Sequence, residues 1–194
     1  MRKEMPTQQS MLVGISGIDA SGKGYIASKL STSLPAELNV AVVNADGWLN
    51  LPEVRFSESD PARHFFENAL RLDEMFEKLI LPVKRNSKVD ITADLVEETS
   101  TGFHSHRYVY DCIDVILVEG IFLFKPDYLN HFNLRIWVEC GFETALARAV
   151  ARSQEGLDRQ QTVGAYENIY FPAQRLHFAI DRPKSFADIM FYNN

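Results

Sequence analysis

The stretch Gly17-Ile18-Asp19-Ala20-Ser21-Gly22-Lys23-Gly24 decides how the chain is read. Two glycines separated by four residues and followed by lysine let the backbone fold back, so that successive N–H groups point inward around an anion. The apolar run at residues 11–15 before it predicts a strand, and Tyr25, Ile26, Leu30 and Leu34 after it recur at helical spacing. Strand, glycine-rich turn and helix in that order make a P-loop, in which the helix N-terminus supplies a partial positive charge and Lys23 a full one. A dinucleotide-binding turn is disfavoured, because Gly14, Gly17 and Gly22 lack its spacing and Lys23 would have no role there. Gly17, Asp19, Ala20, Ser21, Gly22, Lys23, Gly24 and Tyr25 are therefore the expected nucleotide-binding residues. One position departs from the motif: Gly24 stands where a serine or threonine normally offers its hydroxyl to magnesium.

Working outward, 194 residues of which 46% are hydrophobic suffice for one sizeable core. The expected organisation is a flexible tail over residues 1–10 and a single domain over 11–194. A formal charge of -6 argues against a protein that coats nucleic acid or anionic membrane, since both need excess positive charge. Cys112 and Cys140 lie in apolar surroundings and are expected as buried thiols of a reducing compartment. The first ten residues lack the apolar core of a signal peptide, and no apolar run approaches a membrane span, so a cytoplasmic location is expected.

Further strands are predicted at residues 40–43, 114–120, 134–138 and 188–191. The first two read as buried on both faces. The strand at 40–43 ends at Asp46, and the strand at 114–120 carries Glu119 at its end. Acids at the carboxyl ends of parallel strands sit on the ligand side of an α/β sheet, so both are expected beside the P-loop. A helix begins at Pro61 with Asp60 as its cap and is expected to run to Pro82, its aromatic residues mostly core. A hairpin-like excursion over about 86–111 contains His104, His106 and Arg107; without a third ligand in view, the histidines predict polar substrate contacts rather than a metal site. The helix at 142–151 leads to Arg148 and Arg152, an i,i+4 pair expected on a lid over about 148–163 that clamps phosphate oxygens. Another helix from Val163 is expected to stop before Pro172. Strand and helix alternate throughout, which predicts an α/β P-loop NTPase with a parallel five-stranded sheet and helices on both faces. The chemistry that follows is ATP binding with phosphoryl transfer, in which positioning and electrostatics do most of the work. Lys23, Asp46, Arg148 and Arg152 are the candidate catalytic residues, and Asp46 and Glu119 the candidate ligands of Mg2+.

The P-loop, Asp46-Gly47-Trp48, Val118-Glu119-Gly120-Ile121-Phe122 and the tail from Tyr170-Phe171-Pro172 to Ala187-Asp188-Ile189 together resemble the uridine kinase family of P-loop kinases. Phosphoribulokinases and pantothenate kinases are its relatives. The resemblance implies that Asp46 activates the hydroxyl of a small metabolite, a nucleoside or sugar derivative. It also implies that Asp94 binds ribose hydroxyls, that His104 or His106 lies near a base, and that Trp48 belongs to the acceptor site. A phosphoribulokinase-like or pantothenate-kinase-like acceptor is the alternative, with Arg55, Arg107 or Arg175 taking its anionic group. A second alternative, motivated by Gly24, is a nucleotide-binding module with weak catalysis. The expected partner is a small hydroxyl-bearing molecule; a homo-oligomer is compatible with the sequence.

Overall fold

The computed structural model describes residues 9–153 and 156–194. Most of the predicted tail, and residues 154–155 of the predicted lid, lie outside them. Five parallel strands form the main sheet: β1 (Met11–Gly17), β2 (Val40–Asn44), β5 (Val115–Gly120), β6 (Leu134–Glu139) and β7 (Ile189–Tyr192). Their order is β2-β5-β1-β6-β7, and β3 (Val89–Leu95) pairs with β4 (His104–Tyr110) in a separate antiparallel hairpin. The P-loop strand is thus central. Its neighbour β5 is buried along its whole length, as its unbroken apolar run requires.

Side-chain alternation divides the core in two. Leu12, Ile116, Val118 and Trp137 face a large cluster built with α3 (Pro61–Asn68), α4 (Leu72–Met75) and α5 (Leu81–Asn86). Val13, Ile15, Leu117 and Val138 face the other way, against Ala27 of α1 (Lys23–Ser33). The reading of β2 as buried on both faces does not hold: β2 is an edge strand, and Val42 is 42% exposed. Cys140 is buried as expected, whereas Cys112 is exposed.

Two prolines expected to stop helices sit inside continuous helical rods. A proline in an α-helix has no N–H to donate and its ring collides with the carbonyl four residues earlier. Both rods relieve this with a π-helical turn just ahead, over Phe76–Ile80 before Pro82 and over Tyr166–Tyr170 before Pro172. The Leu81 amide donates to the Phe76 carbonyl and the Phe171 amide to the Tyr166 carbonyl, bonds one residue longer than the α pattern. The helix expected from Pro61 is broken at 69–71, where Leu70 bridges to Leu49, and the first rod runs from Leu72 past Pro82 to Asn86. The second links α8 (Arg159–Ala165) to α9 (Phe171–Ile180), which packs against α3.

Candidate active site

Gly22 caps α1 with φ 93°, the left-handed region that suits glycine. The Ile26 amide donates to the Gly22 carbonyl at 3.1 Å, so the amides of Lys23, Gly24 and Tyr25 lie at the open start of the helix. Lys23 is buried, and its Nζ donates to the Ile18 carbonyl at 2.9 Å, folding the ammonium over the loop. The Tyr25 ring is 64% exposed beneath Lys29, so only its backbone belongs to the cradle.

Both predicted acids reach this loop. Asp46 lies in a 3-10 turn over Ala45–Trp48 at the end of β2, and the Asn44 side chain accepts from its amide at 2.7 Å. Its carboxyl is open to solvent but crowded by protein; desolvation and Asp19 raise its pKa, while Lys23 and Arg152 oppose the rise. Glu119 pairs in register with Asn44 on one side and Ile15 on the other. Burial, together with the nearby Asp46 and Asp19 charges, pushes it up to about 7 against the pull of Lys23. A Cβ built on Gly24 would lie 3.4 Å from Glu119 Oε1, so the space of the missing hydroxyl side chain adjoins this carboxylate.

Asp19 anchors the overlying helices. It accepts a short hydrogen bond from the Tyr166 hydroxyl, which the second π turn carries, and it faces Arg152 Nη2 at 4.0 Å. Arg148 turns elsewhere, contrary to its expected place on the phosphates. Its Nη1 donates to the Asn193 carbonyl at 3.0 Å, and Asn193 Nδ2 donates to the Ser21 carbonyl at 2.8 Å, so Arg148 braces the end of β7 against the loop.

Two cavities open on Asp46. The first, of about 210 Å³, is lined by Asp19, Leu49, Arg55, Phe56, Phe65 and Gln174 among others. The second, of about 400 Å³, runs along the hairpin past Leu95, Glu97, Glu98 and His104. Of the residues expected at the acceptor, Arg55, from the short helix α2 (Pro52–Arg55), lines the first cavity and His104 the second.

Five others do not. Trp48 is fully buried and stacks on Tyr108, a core residue. Asp94 is exposed, because alternation along β3 buries Ala93 and Leu95 and turns Asp94 to the opposite face. Arg107 forms a two-pronged pair with Asp90 at 2.8 and 2.7 Å on the hairpin's outer face. His106 packs edge-on against Tyr108. Arg175 lies over the Phe142 ring on the outer side of α9. Gln174 and Tyr170 line the first cavity although neither is among the expected site residues; a lone glutamine among the buried Phe171, Ala173 and His177 of α9 is the available signal. Among the described residues no cluster of three or more acidic, histidine or cysteine side chains could hold a metal.

Known proteins are similar to this chain over most of its length. A uridine kinase of Histophilus somni is 26% identical over 194 residues, covering 96% of this chain and 88% of its own. A uridine kinase of Cronobacter sakazakii is 26% identical over 192 residues, with 95% and 87% covered. The chain is thus similar to uridine kinases over most of its length. Among solved structures, a candidate uridine kinase of Bacillus stearothermophilus shares the fold with a TM-score of 0.72 at 18% identity, covering 97% of this chain and 91% of its own. A protein of Silicibacter sp. TM1040 named for a fructose transport system kinase gives 0.73 at 18% identity, with 98% and 93% covered. No protein-family model matches the chain. Among the described residues no helix is long and apolar enough to cross a membrane.

Proposed function

We propose that this protein is a kinase of the uridine kinase type, which transfers the γ-phosphoryl group of ATP to a hydroxyl of a small nucleoside-like or sugar-like metabolite. The observation that carries the reading is the position of Asp46, shared by both cavities and within electrostatic reach of Lys23 at the P-loop. The open amides of α1 and the Lys23 ammonium hold the phosphates. Asp46 receives the proton of the attacking hydroxyl, and its raised pKa makes it a better base for that task than an ordinary aspartate. Arg152 meets phosphate oxygens from above Asp19.

Magnesium, carried in with ATP, would neutralise charge on the phosphates; Asp46 and Glu119 are the side chains that would hold its water shell. The fit is supported by Glu119 lying beside the space that a P-loop hydroxyl side chain would fill, and magnesium needs only one or two protein ligands. That carboxylate is the reason to favour an active kinase over a module silenced by Gly24.

The test is ADP release measured over a panel of neutral nucleosides, neutral sugars and their phosphates. Acceptor-dependent ADP is expected, and Lys23→Ala should lower it by roughly 10²–10³-fold, the usual effect of removing one preorganised charge-stabilising donor. Tight ATP binding with no turnover on any acceptor would overturn the reading in favour of the silent module.

A further inference from the structure

The first cavity holds polar groups that the phosphoryl-transfer chemistry does not use. Gln174 is only 2% exposed, and neither its Oε1 nor its Nε2 has a hydrogen-bond partner among the described residues. Arg55 is 4% exposed; its Nη2 donates to the Glu98 carbonyl at 2.5 Å, while its Nε is likewise without a partner. Buried polar atoms in native proteins are nearly always satisfied, and those left over call for an explanation. Two such side chains facing one cavity that also opens on Asp46 point to a ligand.

The walls narrow its chemistry. Phe56 stacks on Phe65 at 5.8 Å, and Phe65 packs against Tyr170 at 4.9 Å, so one side of the cavity is an aromatic surface. Among the described lining residues, Asp19, Asp46 and Glu98 are acidic and Arg55 is basic, while Lys23 and Arg152 act on Asp46 and Asp19 from beside the cavity. A phosphorylated acceptor would bring two more negative charges beside these acids, whose nearby cations are already engaged with them or with the phosphates, so the fit is to a neutral molecule. A primary amide presents a donor and an acceptor side by side. Its complement is a neutral group with the same pair reversed.

We infer that Gln174 is the specificity-determining residue for the phosphate acceptor: its amide reads a neutral donor–acceptor pair at the end of the acceptor remote from the hydroxyl that faces Asp46. The inference rests on the proposed phosphotransfer and deepens it. Two chemical sources offer such a pair, the lactam edge of a pyrimidine-type base and the adjacent hydroxyls of a sugar, and both present a face that stacks on an aromatic wall. The same argument weighs against the phosphorylated acceptors of the alternative reading.

The test compares the wild type with Gln174→Met, which keeps length and loses the amide, and Gln174→Glu, which keeps shape and adds charge. Probes are uridine, 3-methyluridine, fructose, a deoxy-sugar, and the phosphates of uridine and fructose. Acceptor and ATP KM values are read beside the melting temperature of the protein alone. Gln174→Met should raise the acceptor KM at least tenfold and leave the ATP KM unchanged. It should also hold or raise the melting temperature, because an apolar side chain replaces an unpaired buried amide. Gln174→Glu should raise the acceptor KM as well. Loss of binding on N3-methylation identifies the lactam edge; loss on deoxygenation of the sugar identifies the hydroxyl pair. A lowered melting temperature with an unchanged acceptor KM makes Gln174 merely structural and overturns the inference. So does preference for a phosphorylated probe, or a wild type that binds no neutral one. Equal turnover of a neutral acceptor by wild type and Gln174→Met defeats the inference and leaves the kinase reading standing. Gln174-dependent binding without ADP release defeats the kinase reading and leaves the pocket.

Discussion

The nucleotide end and the acceptor end of the cleft are built in opposite ways. The first is one continuous strand, turn and helix over residues 11–33, shaped mainly by its own backbone with Lys23 and Asn193 holding the turn. The second gathers Asp46 from a turn after β2, Arg55 from α2, Tyr170 from a π turn and Gln174 from α9. A site made by local backbone survives a change of most side chains around it. A site made by packing depends on which face each element turns inward, and that depends on the whole fold.

Asp46 belongs to both ends, so its replacement separates them most sharply. Asp46→Asn keeps the shape and removes the base. Turnover should fall by roughly 10²–10⁴-fold, the range for a positioned general base, while nucleotide and acceptor affinities change little. Single-turnover kinetics beside nucleotide titration would check this. Retained turnover would mean that the two ends meet somewhere other than Asp46.

Glu119 tests the nucleotide end through pH. Its folded pKa of about 7 lies above the ordinary 4.5, so between those values the folded chain binds a proton that the unfolded chain has released. Stability therefore falls as pH rises through this window and levels off above it. At 1.36 kcal/mol per unit the ceiling is about 3 kcal/mol. Asp46 is shifted in the same direction and adds to the slope from lower pH. Melting temperatures of the protein alone should drop from pH 5 to pH 8, and Glu119→Gln should flatten the decline and be the more stable protein at pH 8. An equal slope in both would show that Glu119 ionises as freely as a surface acid.

A smaller effect probes the brace on the loop. At Gly22 an added Cβ would sit 2.4 Å from Asn193 Nδ2, on a backbone with φ 93°. Gly22→Ala pays left-handed strain of about 1–2 kcal/mol and must push Asn193 off the Ser21 carbonyl. Nucleotide affinity should fall about tenfold, with 1.4 kcal/mol as the conversion. In an Asn193→Ala background the further loss should shrink, since the collision is gone and only the strain remains.

This contrast also explains what could be read from the chain. Unbroken apolar runs such as residues 115–118 declare buried parallel strands, and so the five-stranded sheet was legible, as was the loop. The edge position of β2 was not, because an apolar run carries no information about which strand is outermost. Pro82 and Pro172 look like helix stops, yet a single longer hydrogen bond ahead of each lets the rod continue. The arginines were the hardest: a guanidinium can go to a phosphate, to a carbonyl as Arg148 does, to a carboxylate as Arg107 does, or over a ring as Arg175 does. Only the packed fold selects among these partners.

The smallest expected effect is the most discriminating for the acceptor end. By its resemblance to ribose-binding acids, Asp94 was expected in the cleft, and Asp94→Asn would then raise the acceptor KM. In the fold Asp94 faces Ser105 across the outer side of the hairpin, its Oδ1 accepting from the Ser105 hydroxyl at 3.2 Å. The expected outcome is therefore unchanged kinetics, measured on whichever neutral acceptor supports turnover. The two outcomes differ by parity rather than by degree. To bring Asp94 inward, β3 would have to turn over, which also expels Ala93 and Leu95 from the core and removes Leu95 from the second cavity. A raised acceptor KM for Asp94→Asn, with the fold intact, would thus demand a hairpin turned over as a unit. Leu95→Ala would then be harmless instead of opening a hole beside Gly47, whose added Cβ would meet Leu95 at 3.6 Å.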